Sequence, residues 1–230
     1  MKKLLCGLIC ASAVLTVVAV ETTVSTIDVI AVDSGLKNTI VAIPGLDLAG
    51  GDLVISNLVK TTNLNAGDKL YAFSDGKYES WELTGGHWQK AETRVSISAS
   101  GTETSESTQA SLVSMPVGSG IWLQRSVYAE QNPFYVYAQH VDSPTTTVDP
   151  RATALVGNPT TVNKSPTIAT PTNGDRIVVP TATLPKCYTY VDSKWKSISK
   201  GVVSEGLPTI TAGTGFWYIS NGESAVEIRW

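Results

Sequence analysis

His87 and His140 are the two imidazoles of this 230-residue chain. A Ser–His–Asp triad or a His-based zinc site would have to be built around one of them. Neither has a second His or Cys at ligand spacing, and His87, in Gly85-Gly86-His87-Trp88, reads as a surface residue beside a turn. The glycines at 118, 120, 213 and 215 suggest a phosphate loop, but Walker and dinucleotide chemistry need a helix amino terminus behind the loop. A strand follows instead, so they read as tight turns that let Trp122 and Trp217 enter a core. Asp68, Asp75, Asp175 and Asp192 are placed as turn formers, not at the alternate positions of a calcium loop. No catalytic residue, metal site or cofactor is therefore expected, and a hydrolase ranks third among the functions considered.

Aromatic residues offer the better lead. Six tryptophans, at 81, 88, 122, 195, 217 and 230, accompany Tyr71, Tyr78, Tyr188 and Tyr190. A ring face is flat and apolar, which suits one side of a pyranose, while neighbouring polar groups suit its hydroxyls. Trp81, His87 and Trp88 flank the Thr84-Gly85-Gly86 turn and form the candidate ligand-binding set. Trp122, Trp217 and the hairpin rings recur along the chain and are expected in the core, where large rings contribute most by area.

The elements that carry these residues are written twice. Lys69–Ser80 matches Lys186–Ser197 at an offset of 117, with Lys, Tyr, Asp, Lys and Ser identical in place. Val117–Trp122 matches Ala212–Trp217 at 95, Thr39–Pro44 matches Ala154–Pro159 at 115, and Gly67–Leu70 matches Gly174–Ile177 at 107. Ordered self-similarity of this kind decides architecture first. The changing offsets imply about ten extra residues in the second half before its hairpin. They also imply some twenty extra in the first half, a Ser/Thr-rich surface loop over 95–109.

Short runs of Val, Ile, Thr, Tyr and Trp between Gly, Pro, Asn and Asp predict many strands. Thirteen are expected, at 26–32, 39–43, 69–74, 77–83, 87–91, 120–125, 134–139, 153–157, 175–179, 187–191, 194–199, 215–219 and 225–230. Asp75-Gly76 is a strong hairpin turn, which sets Phe73 opposite Tyr78 and Tyr71 opposite Ser80. In the second half Tyr190 faces Trp195 and Tyr188 faces Ser197. The fold class is all-β: two tandem β-sandwich or open-barrel-like repeats, arranged pseudo-symmetrically.

The first nineteen residues have the charged, apolar and small-residue parts of a secretory signal, with cleavage expected after Ala19. A retained anchor is the competing reading, because Leu4–Val20 is just long enough to span. Domain boundaries follow as a signal peptide over 1–19, a first β domain over 20–142, a linker over 143–150 and a second β domain over 151–230. Cleavage removes Lys2, Lys3, Cys6 and Cys10, which leaves an acidic chain with Cys187 alone. An internal disulfide is then impossible, and nucleic acid is excluded as a partner for want of a basic patch.

The repeated Gly-x-Gly-Ile/Phe-Trp blocks and the Tyr-x-Phe/Tyr-x-Asp elements resemble those of secreted bacterial β-repeat proteins with no assigned activity. The resemblance covers most of residues 38–230 and implies export and a β fold. The function expected is that of a non-catalytic envelope or extracellular protein, structural or adhesive, in the periplasm, at the cell surface or outside the cell. Carbohydrate binding through exposed aromatics is the alternative. Glycans or other envelope proteins are the partners considered, with no membrane span after cleavage and the oligomeric state open.

Overall fold

The computed structural model describes residues 27–32, 38–46, 53–54, 64–74, 77–90, 96–97, 103–104, 108–109, 114–126 and 134–230. The signal segment and the Asp75-Gly76 turn lie outside the described residues.

All regular structure among the described residues is β. The first half contains β1 (Ile27–Val32), β2 (Asn38–Ala42), β3 (Leu53–Val54), β4 (Lys69–Ser74), β5 (Lys77–Thr84) and β6 (His87–Lys90). It continues with β7 (Ser96–Ile97), β8 (Glu103–Thr104), β9 (Thr108–Gln109), β10 (Ser114–Met115), β11 (Gly120–Gln124) and β12 (Phe134–Gln139). The second half contains β13 (Thr145–Val148), β14 (Thr153–Gly157), β15 (Thr167–Ala169), β16 (Arg176–Val179) and β17 (Lys186–Val191). It ends with β18 (Lys194–Ser199), β19 (Val202–Glu205), β20 (Gly215–Ile219) and β21 (Val226–Arg229). Each of the thirteen expected strands is present to within a residue at either end. No helix among the described residues is long and apolar enough to cross a membrane.

Each half is built on a six-stranded antiparallel sheet, ordered β2-β11-β4-β5-β6-β9 in the first and β14-β20-β16-β17-β18-β19 in the second. A smaller sheet covers one face: β1 with β12 in the first half, β13-β21-β15 in the second. Strand alternation decides what lies between the layers. In the first half Leu70, Trp81, Leu83, Trp88, Ile121 and Leu123 of the large sheet meet Val136 and Ala138 of β12. In the second, Val156, Ile177, Trp195, Phe216 and Tyr218 meet Val148, Val226 and Ile228. Among the described residues these are two cores, one to each half.

The strand pairs inside the hairpins have the expected registers: Phe73↔Tyr78, Tyr71↔Ser80, Tyr190↔Trp195 and Tyr188↔Ser197. The correspondence between the halves does not follow the expected one. β4 lies beside β11, and the strand in that place in the second half is β16, not β17. Leu70↔Trp81 therefore answers to Ile177↔Tyr188, and Leu83↔Trp88 to Tyr190↔Trp195, all at the 107 offset of the Gly-Asp blocks. The Gly85-Gly86 turn, φ 60° and 82°, has Asp192-Ser193, φ 53° and 62°, as its counterpart. No ten-residue insertion precedes β17; the 180–185 connection stands where β4 and β5 run on to their turn.

Two further expectations are corrected. The 143–150 linker contains β13, whose Thr146 pairs with Ile228, so the segment is part of the second sandwich. Three threonines and a valine can form a strand edge as well as a linker, and the partner strand comes some eighty residues later. Within the 95–109 loop the described residues are the short strands β7, β8 and β9, and β9 pairs with β6.

Candidate functional site

The pleat of β11 carries the largest consequence for function. Ile121 and Leu123 point into the first core, so Trp122 between them points out of it. β20 repeats this with Phe216 and Tyr218 inside and Trp217 outside. The outward faces of the two large sheets meet there, and Trp122 and Trp217 approach across the seam with ring centroids 6.5 Å apart. The expectation that these tryptophans fill the cores is thus overturned by period-two alternation, which puts smaller apolar neighbours inside.

Three rings of the β4–β5 hairpin complete the cluster. Phe73 lies 5.5 Å from Trp217 at 80°, Tyr78 lies 6.0 Å from Trp217 and 6.3 Å from Trp122, and Tyr71 lies 5.3 Å from Trp122. The edge-to-face contacts among Phe73, Tyr78, Trp122 and Trp217 are favoured by the ring quadrupole at about 0.5–1.5 kcal/mol each beyond area burial. Tyr71 also donates its hydroxyl to Gln124 Oε1 at 3.0 Å. Tyr78 remains 52% exposed, and partial burial pushes its phenol above the ordinary value.

Two cavities open beside the cluster and share Phe73 and Thr153. The smaller, 320 Å³, is lined by Phe73, Tyr78, Val178, Trp217 and Ile219 together with Thr153. The larger, 750 Å³, passes between β4, β5 and β11 of the first half and β13 and β14 of the second, with Glu79, Thr147, Asp149 and Arg151 among its polar groups. Glu79 is paired with Lys90 at 3.4 Å and Arg151 with Glu223. Together they form one groove along the seam, aromatic at one end and polar at the other. Each of the two cavities falls in the range of about 300–1,000 Å³ typical of ligand sites.

Glycine makes the seam close enough for this. The Ala42 amide donates to Gly213 O and the Gly157 amide to Gly118 O, both at 2.8 Å, so each half reaches into the other's Gly-x-Gly turn. Gly118 and Gly213 have φ of 80° and 72°, as a tight turn requires. Gly120 and Gly215 do not; a Cβ on Gly215 would stand 2.8 Å from Ile40 Cγ2 of the first half, and one on Gly120 would stand 3.2 Å from Leu155 of the second. The second glycine of each pair therefore serves approach between the halves.

The sequence candidates fall elsewhere. Trp81 and Trp88 are 1% and 4% exposed, both inside the first core. Trp81 shares a strand face with Leu83, and Leu83 pairs with Trp88, so the alternation that hides one hides all three. His87 is exposed at the turn, as expected, while its neighbour Trp88 is buried. His140 is exposed and lies 3.1 Å from Asp142. Among the described residues no group of three or more His, Cys, Asp or Glu could hold a metal ion.

Asp68 and Asp175 act as clamps. Each is fully buried just before β4 or β16 and ties that point to the segment after β11 or β20. Asp175 accepts from the amides of Thr172 and Asn221 at 2.9 and 2.7 Å and from the Tyr218 hydroxyl at 2.6 Å. Burial first, then the hydrogen bond and charge of Asp175, push the Tyr218 phenol far above its ordinary value of 10.0. A raised folded-state value means this stability is whole below about pH 10 and is lost as pH rises beyond it. Absorbance at 295 nm should show one tyrosine that ionises only as the chain unfolds in alkali, and Tyr218→Phe should remove that step.

Compared with known protein families, characterised proteins and solved structures, the chain matches none.

Proposed function

We propose that this chain is an exported, non-catalytic protein of the cell envelope or extracellular space that works by holding a partner, with the seam groove as its contact site. The observation that carries the reading is the half-exposed ring of Tyr78, set with Phe73 and Trp217 at the mouth of a groove walled by both halves. A ring left half in water beside an open cavity offers a partner a flat apolar contact. Contacts at a binding face concentrate in aromatic anchors of this type.

A second reading, glycan recognition, is favoured by the same groove's composition. Rings stand at one end, and Thr147, Thr153, Glu79 and Arg151 supply donors and acceptors within the space of a few sugar units. On this reading the carbohydrate would lie against Tyr78 and Trp217 and not at Trp81, His87 and Trp88.

Retention of the purified chain on cell-envelope fractions tests both. Tyr78→Ala should weaken retention at least about tenfold, or about 1.4 kcal/mol, with thermal unfolding nearly unchanged. Loss of binding after protease treatment of the fraction identifies a protein partner, and loss after glycosidase treatment identifies a glycan. Unchanged retention of Tyr78→Ala would remove the groove from the account.

A further inference from the structure

The far end of the second large sheet is open. β19 is its last strand, at the opposite edge of the sheet from β14 at the seam, and all four of its side chains are exposed. Val202 and Val203 are 64% and 57% exposed, and Ile198, which pairs with Val203, is 74% exposed. Natural sheets blunt such edges with charge, proline or a bulge. Here apolar residues continue to the rim, and the charged residue of the strand, Glu205, is already held by Lys194 at 2.8 Å.

The register shows which backbone groups the edge offers. Lys200 and Gly201, φ 49° and 78°, form a two-residue turn that closes the Ser199↔Val202 pair. In such a hairpin the closing pair is the hydrogen-bonded kind, and the bonding alternates from there. Val202 and Ser204 thus face β18, as does Gly206, whose amide donates to Trp195 O at 2.9 Å. Gly201, Val203 and Glu205 turn their amides and carbonyls outward.

We propose that β19 pairs antiparallel with β19 of a second copy of this chain, about a two-fold axis at Val203. An isologous pair needs a residue that can sit opposite itself, and Val203 does so with outward-facing backbone groups. The joined sheet then carries an unbroken apolar row across one face, Ile198 and Val203 of one copy followed by Val203 and Ile198 of the other. The same register sets Glu205 of each copy against the Lys200-Gly201 turn of the second, so that Lys200 adds a second positive charge beside the Lys194–Glu205 pair at both ends. That self-complementarity of register, apolar row and charge is why the occupant is a second copy. Two four-residue edges bury less than a stable interface of about 1,000 Å², so the dimer is weak. It lies opposite the seam and is independent of the groove.

Sedimentation equilibrium of the whole chain from about 10 μM to about 1 mM should show monomer passing to dimer. Val203→Lys, which sets two ammonium groups face to face, should weaken association at least about tenfold. Val203→Pro, which deletes the central outward amide, should do the same, and circular dichroism should show both variants folded. Val203→Cys in a Cys187→Ser background should oxidise to a linked dimer much faster than Glu205→Cys, because only position 203 faces itself, at about 5.5 Å between Cα atoms. A chain that stays monomeric throughout, or a dimer indifferent to both Val203→Lys and Val203→Pro, overturns the proposal.

Discussion

Asp68→Ala should lower the unfolding free energy by about 3–5 kcal/mol, measured by urea denaturation. Asp68 is fully buried and Arg125 is 2% exposed, with Arg125 Nε 2.9 Å from Asp68 Oδ2. The Asn65 amide donates to the same oxygen at 3.0 Å, and the Ser126 amide and hydroxyl donate to the other at 2.7 and 2.8 Å. Removing the carboxylate takes an ion-pair partner from a guanidinium held out of water and leaves the Asn65 and Ser126 amides without their acceptor. An exposed pair such as Lys69–Glu82, 3.5 Å apart with both side chains over 40% exposed, is worth under about 1 kcal/mol by comparison. The effect of Asp68→Ala should shrink when Arg125→Met is added, because the buried charge that Asp68 pairs with is then gone as well. A loss below about 1 kcal/mol for the single variant would mean that the clamp does not hold β4 to the end of β11.

The same residue explains what sequence could and could not reveal. Gly67-Asp68 and Gly174-Asp175 align at 107 because a buried clamp tolerates no substitute, and that offset runs unbroken through Trp88 and Trp195. The more conspicuous match of Lys69–Ser80 with Lys186–Ser197 is one strand out of step. Neighbouring strands of one sheet share the same two-residue alternation of aromatic and polar residues, so a slip of a whole strand costs an alignment little. Strand positions were readable because runs of Val, Ile, Thr and Tyr between turn residues reflect local chemistry. Strand partners were not, since β13 depends on β21 and no local signal distinguishes Thr145–Val148 from a linker. The exposure of the tryptophans was readable in principle. Ile121-Trp122-Leu123 and Phe216-Trp217-Tyr218 each place one residue opposite two, and the pair decides the inward face. Ring size argues for burial, but only one parity can be buried against the small sheet, and Trp122 and Trp217 have the other. Tyr78, Phe73 and Trp217 come together only through the seam, a contact between strands over a hundred residues apart.

Gly157→Ala should be nearly as damaging, at about 3 kcal/mol or more, although it adds a single methyl group to an ordinary strand residue. A Cβ there would stand 2.4 Å from both Cα and Cβ of Ala42 and 2.8 Å from Ser119 O. These obstacles are backbone atoms or a Cβ fixed to the backbone, so no rotamer change relieves them. The strands must separate, which lengthens the two reciprocal amide bonds from Ala42 to Gly213 and from Gly157 to Gly118. Separation also pulls Trp217 away from Trp122 and Phe73. Tryptophan emission of the folded variant should therefore shift to the red before any global unfolding, and binding through Tyr78 should weaken with it. Gly201→Asn serves as the control. That glycine has φ of 78° but open space around it, and asparagine tolerates the left-handed region, so its cost should stay within about 1 kcal/mol. Equal stability of Gly157→Ala and the parent chain would show that the halves can part without cost. The seam would then be a loose contact, and a groove that requires both walls in place could not be the binding site.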